Sequence, residues 1–245
     1  MQNLIELKLY EKPAKLEDVK YKILGKPSEN LLDKDLERLR QEGKEGLIYA
    51  PDWKEITLAL DAYSSDPLKL HLSPLSSCMV QAFRGGYEIK SRPAGVLGMT
   101  VSLDNKLVLG LRGGKFVAGM IHVVPAGSLV WKEKYDKNPL ADSYYEELKD
   151  ELGIEAEEID AAVIGHDNYL NDSMHFIIKG KSMLDYKDIE ERHRHAKDAF
   201  EHRMLIGVEN SPDAIQSFLK ESEYPVFEQC KNLLELYIES ELGSG

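Results

Sequence analysis

Apolar and polar positions change rhythm several times along the chain, and each change marks an element. Leu4 to Leu9 and Lys20 to Leu24 read as short strands. In Asn30 to Gln41, Leu31, Leu32, Leu36 and Leu39 fall near helical spacing, and Gly43 offers a stop. Ile56 to Leu60 and Met79 to Phe83 are short apolar segments among breakers at Pro67, Pro74 and Gly85-Gly86. From Pro93 the rhythm tightens. Gly95 to Leu103 and Lys106 to Leu111 predict two strands around a two-residue turn at Asp104-Asn105. A glycine-rich loop, Arg112-Gly113-Gly114-Lys115, precedes a strand at Ile121 to Val124, which Pro125-Ala126-Gly127 ends.

Leu140 to Leu152 then predicts a helix with Gly153 as its C-terminal cap. Ala161 to His166 and Ser173 to Lys179 read as strands around a turn at Asn171-Asp172. Tyr186 to Phe200 is heavily charged, an exposed helix or a long loop, and Arg203 to Val208 reads as a strand. Asp213 to Leu219 and Pro225 to Ile238 have helical spacing. In the second, Val226, Cys230, Leu233, Leu234, Tyr237 and Ile238 form an apolar stripe that faces a core or an interface.

Composition narrows the function classes. The 245 residues carry 31 Lys+Arg against 43 Asp+Glu, a formal net charge of −12, which argues against binding duplex nucleic acid. It leaves room for a phosphorylated small molecule, because a metal ion can bring the missing positive charge. With 42% hydrophobic and 30% charged residues the chain reads as globular. Cys78 and Cys230 offer neither a disulfide framework nor metal-ligand spacing. The longest uncharged run, Phe116 to Trp131, is broken by glycine and proline and too short for a bilayer span. Glu6, Lys8 and Glu11 stand where a signal peptide needs apolar residues, so no membrane role is expected and a cytoplasmic setting is.

The chemistry is concentrated in Glu146-Glu147-Leu148-Lys149-Asp150-Glu151-Leu152-Gly153-Ile154. On a helix Glu147, Asp150 and Glu151 stand at i, i+3 and i+4, so one face is expected to carry all three acids. Like charges that close repel by about 1–4 kcal/mol per pair at intermediate dielectric. Solvation or a hard divalent cation bound through oxygen relieves this. Leu148 and Leu152 lie on a different face and can anchor the helix.

The segment resembles the signature of the Nudix hydrolases, G-x5-E-x7-R-E-U-x-E-E-x-G-U with U aliphatic. Gly127 and Glu133 match its opening. Glu147 through Ile154 match its closing half, with Asp150 for the first of the paired glutamates. The likeness spans Pro93 to Val208. Two departures stand out: residues 134–145 make the internal loop five longer than the pattern, and Glu146 replaces its arginine. In the family that arginine is expected to hold a signature carboxylate. Lys132, Lys134 and Arg112 are the cations at hand to compensate.

The resemblance implies an α/β fold for residues 93–245, a mixed sheet sandwiched between helices. Residues 1–92 form an N-terminal α+β extension. The extension carries no chemical motif, and its expected role is packing or homodimerisation, with substrate selection as the alternative. The implied activity is Mg²⁺- or Mn²⁺-dependent hydrolysis of the pyrophosphate in a nucleoside diphosphate linked to another moiety, such as a nucleotide sugar or ADP-ribose. Glu147, Asp150 and Glu151 would be catalytic and metal-ligating, with Glu133 as a further ligand. Arg112 and Lys115 are candidates to contact the phosphates. The alternative is a Nudix-fold module that binds a nucleotide without cleaving it. His166, at a strand end, reads as structural, and His193 and His195, in the charged segment, lack the Cys/His partners of a zinc site.

Overall fold

The structure is a computed structural model that describes residues 6–50, 52–65, 68–113, 117–168 and 173–242. In chain order its elements are β1 (Glu6–Lys15), β2 (Lys20–Ile23), α1 (Leu31–Gln41), β3 (Ile56–Ser65), β4 (Leu68–Ser76) and α2 (Ser77–Arg84). There follow β5 (Arg92–Val101), β6 (Lys106–Arg112), β7 (Ile121–Val123), β8 (Ala126–Ser128), α3 (Pro139–Leu152) and β9 (Ile159–Asn168). The chain continues through β10 (Met174–Ser182), α4 (Tyr186–His193), β11 (His202–Glu209), α5 (Pro212–Glu221) and α6 (Glu228–Tyr237).

Period-two alternation gives the sheet two apolar faces, and helices cover both. Val96 of β5, Val108 of β6, and Phe176 and Ile178 of β10 pack on one side, with Leu140, Tyr144, Leu148 and Leu152 of α3. Leu97, Met99, Leu107, Leu109 and Ile177 face the other, against Ile215 of α5 and Cys230, Leu233, Leu234 and Tyr237 of α6. The sheet is mixed. β10 runs parallel to β5, from Met174 opposite Ala94 to Lys181 opposite Val101, and antiparallel to β9. β5 also pairs with β6 and β8, and β6 with β7 and β11. The fold is therefore α/β with a mixed sheet between helices, as expected.

Residues before 93 enter this same sheet. β1 pairs with β9, and β3 meets β5 at Ala59 opposite Pro93 and Leu60 opposite Arg92. Leu16, Leu58, Leu70 and Leu72 are buried in the core that α3 covers. A small satellite of Leu39, Cys78, Met79 and Ala82 holds α1 against α2. Met79 to Phe83 lies within the helix α2, whose start is capped by the Ser76 hydroxyl. Between β5 and β6 the connection is Ser102–Asn105, wider than the expected two residues, with Asn105 in the left-handed region at φ 59°. The expected turn at Asn171-Asp172 lies outside the described residues. Among the described residues no helix is long and apolar enough to cross a membrane.

Candidate functional site

Helix α3 is started by its own sequence. Asn138 Oδ1 accepts from the N–H groups of Leu140 and Ala141 (3.1 and 2.9 Å), and Pro139 supplies a first-turn residue with no N–H to satisfy. Asn138 also donates from Nδ2 to the Leu16 carbonyl (2.9 Å), which ties the helix start to the N-terminal segment. The extra loop residues are accommodated here. Asp142 accepts from the backbone N–H of Asp136 and of Lys137 (2.8 and 3.0 Å), so the longer connection closes as an ordered turn. Gly153 ends the helix at φ 68°, a left-handed cap.

Leu140, Ala141, Tyr144, Leu148 and Leu152 are buried, and Glu151 falls on the same side of the helix as Leu140 and Tyr144. Glu151 is turned fully inward, 1% exposed. Its Oε2 stands 3.1 Å from His202 Nε2, and Arg112 Nη1 lies 4.0 Å from its Oε1. Glu147, one turn earlier, lies over the backbone of β8: a Cβ added to Gly127 would come within 2.0 Å of Glu147 Oε1. Only a glycine leaves room for that carboxylate. Asp150 points elsewhere. It forms an ion pair with Lys197 at 2.5 Å on the outer side of the helix. The three acids expected on one face are thus divided, because side chains at 150 and 151 stand about 100° apart around the axis.

Glu147 lines a cavity of about 430 Å³, whose wall also includes Arg112, Gly127, Glu201 and Asp198, and Glu151 lies behind that wall beside Arg112. Burial is the first cause that raises the pKa of both carboxylates. Glu147 is pushed well up by burial and then by Glu151, Glu201, Glu55 and Asp150. Glu151 reaches about 8, with burial opposed by Arg112 and reinforced by Glu201. His202 is held neutral, its pKa lowered to about 3 by burial and by the Arg112 guanidinium. A neutral His202 accepts at Nε2 from Arg112 (3.2 Å), while its Nδ1 has no partner.

The remaining candidates are scattered. Glu133 is exposed and paired with Lys26 at 3.6 Å, away from the cavity lining. Lys115 lies outside the described residues. Arg112, 8% exposed, reaches Glu201 at 2.8 Å as well as His202 and Glu151, so its guanidinium is built into the carboxylate cluster. Glu146, at the position of the signature arginine, is met by Lys132 at 2.8 Å. His166 is buried between Tyr10 and Tyr63, with its two ring nitrogens 3.1 and 3.0 Å from their hydroxyls, and it does not line the cavity. His193 joins elements: its ring nitrogens lie 2.7 Å from the Glu151 carbonyl and 3.0 Å from that of His202.

Sequence reasoning missed His202 and Glu201, and it missed Glu55, Trp53, Tyr49 and Arg84 from before β5, all of which reach the cavity or its carboxylates. Their contacts join positions tens of residues apart, and no local spacing announces them.

Buried Glu151 and half-buried Glu147, with their charged forms disfavoured by burial and by neighbouring acids, and the glycine cradle form an all-oxygen donor set that fits a hard divalent cation. Among the described residues no group of three or more His, Cys, Asp or Glu is ready-made to enclose one.

No protein-family model and no curated protein sequence matches the chain. Among solved structures it is similar to the MutT protein from Methanosarcina mazei Go1, at 15% identity over 60% of this chain and 93% of that one, with a TM-score of 0.41. It is similar to the Nudix domain of Shewanella oneidensis NrtR complexed with ADP ribose, at 13% identity over 64% and 95%, TM-score 0.41. A third is the bifunctional NMN adenylyltransferase/ADP ribose pyrophosphatase from Francisella tularensis, complexed with AMP and a Mn ion. It matches at 10% identity over 66% of this chain and 46% of that one, TM-score 0.39. These are likenesses of fold.

Proposed function

We propose that the chain is a cytoplasmic, divalent-cation-dependent pyrophosphohydrolase of Nudix type. Its substrate would be a nucleoside diphosphate linked to another moiety, of the nucleotide-sugar or ADP-ribose kind. The observation that carries this reading is the pair Glu147 and Glu151, one turn apart on α3, with Glu147 at the wall of the cavity over Gly127 and Glu151 just behind it beside Arg112.

Glu147 and Glu151 would hold Mg²⁺ or Mn²⁺. The cation would neutralise pyrophosphate oxygens and make water a better nucleophile at neutral pH. The protein's own part is positional. Arg112 fixes Glu151 Oε1 and also ties Glu201 and His202 into the same cluster, so the ligand carboxylate stays in one place. His202, kept neutral, touches Glu151 without adding a second cation. Gly127 keeps the β8 backbone clear of Glu147. Asp150 would be a proton acceptor or a further ligand only after its ion pair with Lys197 opens.

Glu151→Gln tests the reading. The change keeps size and hydrogen bonding while removing charge, so turnover should fall by about a thousandfold or more with the melting temperature near that of the wild type. Full activity in that variant would remove it. One observation favours the non-catalytic binding module instead: Glu151 is already faced by Arg112, and Asp150 is paired with Lys197. That reading requires saturable nucleotide binding with no turnover of any pyrophosphate substrate by purified protein.

A further inference from the structure

The cavity has a second wall, made by residues before β5. Tyr49, Trp53, Glu55 and Arg84 line it together with Glu147 of α3. The loop that carries the two aromatics is pinned from below by α2. Buried Gln81 accepts from the Ala50 N–H at 2.6 Å and donates to the Ala50 carbonyl at 3.1 Å. Buried Ser77 donates from Oγ to the Trp53 carbonyl at 2.6 Å, and its N–H donates to the Glu55 carbonyl at 3.0 Å. The backbone is therefore fixed by buried polar side chains, while the rings above it stay open: Tyr49 is 42% exposed and Trp53 half-buried.

Packing does not account for that arrangement. Both rings instead leave surface open above that base, an apolar body with a polar tip available for contact. Polar groups also surround the rings. Trp53 Nε1 donates to Glu55 at 2.9 Å, and the charge of Glu55 is one of those felt by Glu147. Arg84 donates to the Tyr49 hydroxyl and to Ser173 Oγ, both at 3.3 Å, bracing the loop against the entry to β10. His175 and Gln229 add hydrogen-bonding groups to the lining. A purely apolar ligand would strip water from these groups without replacing their hydrogen bonds. A flat ring with a polar edge suits both surfaces, and about 430 Å³ lies in the range of small-ligand sites.

We infer that the N-terminal segment is the base-recognition half of the cavity: a nucleobase stacks on Trp53, Tyr49 and Arg84 close on its edge, and the diphosphate extends toward Glu147. The identity of the ligand rests on the proposed hydrolase reading, which places the diphosphate at the α3 carboxylates. The extension is then a specificity wall.

The test uses the full chain with Mg²⁺ and calorimetric titration of ADP, GDP, CDP, UDP and inorganic pyrophosphate. Stacking on an aromatic side chain predicts that Trp53→Ala weakens the tightest nucleotide by about tenfold or more. Pyrophosphate affinity should change by less than about twofold, and Trp53→Phe should keep most of the nucleotide affinity. Should Trp53→Ala fail to fold by circular dichroism, Tyr49→Ala carries the test, with a several-fold loss confined to nucleotides. Wild-type nucleotide affinity in both alanine variants would overturn the inference. So would an equal loss for nucleotide and pyrophosphate, or no binding of any nucleotide by the wild type. Turnover separates the two readings. Trp53-dependent nucleotide binding without cleavage upholds the base wall and removes the hydrolase, whereas cleavage with an unchanged KM in Trp53→Ala does the reverse.

Discussion

Single residues settle where charge can sit in this cavity. Gly127 is the sharpest case, since a Cβ there would meet Glu147 Oε1 at 2.0 Å. Gly127→Ala should push the carboxylate aside and lower turnover by about a hundredfold while the fold persists, read by steady-state kinetics beside circular dichroism. Wild-type kinetics would show that Glu147 need not lie over β8. Arg112 was legible as a cation near the site but not in its role. Its partner Glu151 is 39 positions away in sequence, and only the packing of β6 and β11 beside α3 brings them together. Of the cations at hand to compensate for Glu146, Lys132 is the one that meets it, at 2.8 Å. Buried His122 gives a pH signature. Burial lowers its pKa from 6.5 to about 4, so the unfolded chain binds the proton better and acid favours unfolding. Its stabilisation is complete above pH 6.5 and is lost as pH falls toward 4. Urea titrations should show the wild type losing on the order of 2 kcal/mol between pH 7 and pH 5 that His122→Gln does not lose. Parallel losses in the two proteins would contradict this.

At the scale of elements, α3 was the most readable part of the chain, because its helical spacing and Gly153 agree, although its cap Asn138 was not read. Asn138 is expected to matter more than an ordinary cap, since it serves two helix N–H groups and the Leu16 carbonyl at once. Asn138→Ala should cost about 1–3 kcal/mol in denaturant unfolding, and a loss under about 0.5 kcal/mol would mean the N-terminal segment is not tied in here. The division of the acids was not readable. Spacing places residues 147, 150 and 151 within one sector, but Lys197 draws Asp150 outward while burial draws Glu151 inward. Strand β4 was missed for a simpler reason. Leu68, Leu70 and Leu72 do alternate with Lys69 and His71, but Pro74 within the run reads as a breaker, although it pairs with Leu58.

Across the whole molecule, one mixed sheet gathers the cavity from distant parts of the sequence. The parallel pairing of β10 with β5 joins Ala94 to Met174, and the β3–β5 pairing brings the residues before 93 to the cavity's rim. Local spacing predicted single strands, whereas the mixed sheet between helices followed from the resemblance. Strand order is a long-range property, so the sequence could suggest an extension but not that it lines the site. The most direct measurement is release of phosphate products from nucleotide sugars, dinucleotides, ADP-ribose and nucleoside triphosphates, with Mg²⁺ or Mn²⁺, for the wild type and Glu147→Gln. A metal-dependent pyrophosphohydrolase cleaves at least one of these in the wild type and loses about a thousandfold or more in the variant. Silence across the panel from folded wild-type protein, or equal turnover in the variant, would contradict the assignment of Glu147 and Glu151 to catalysis.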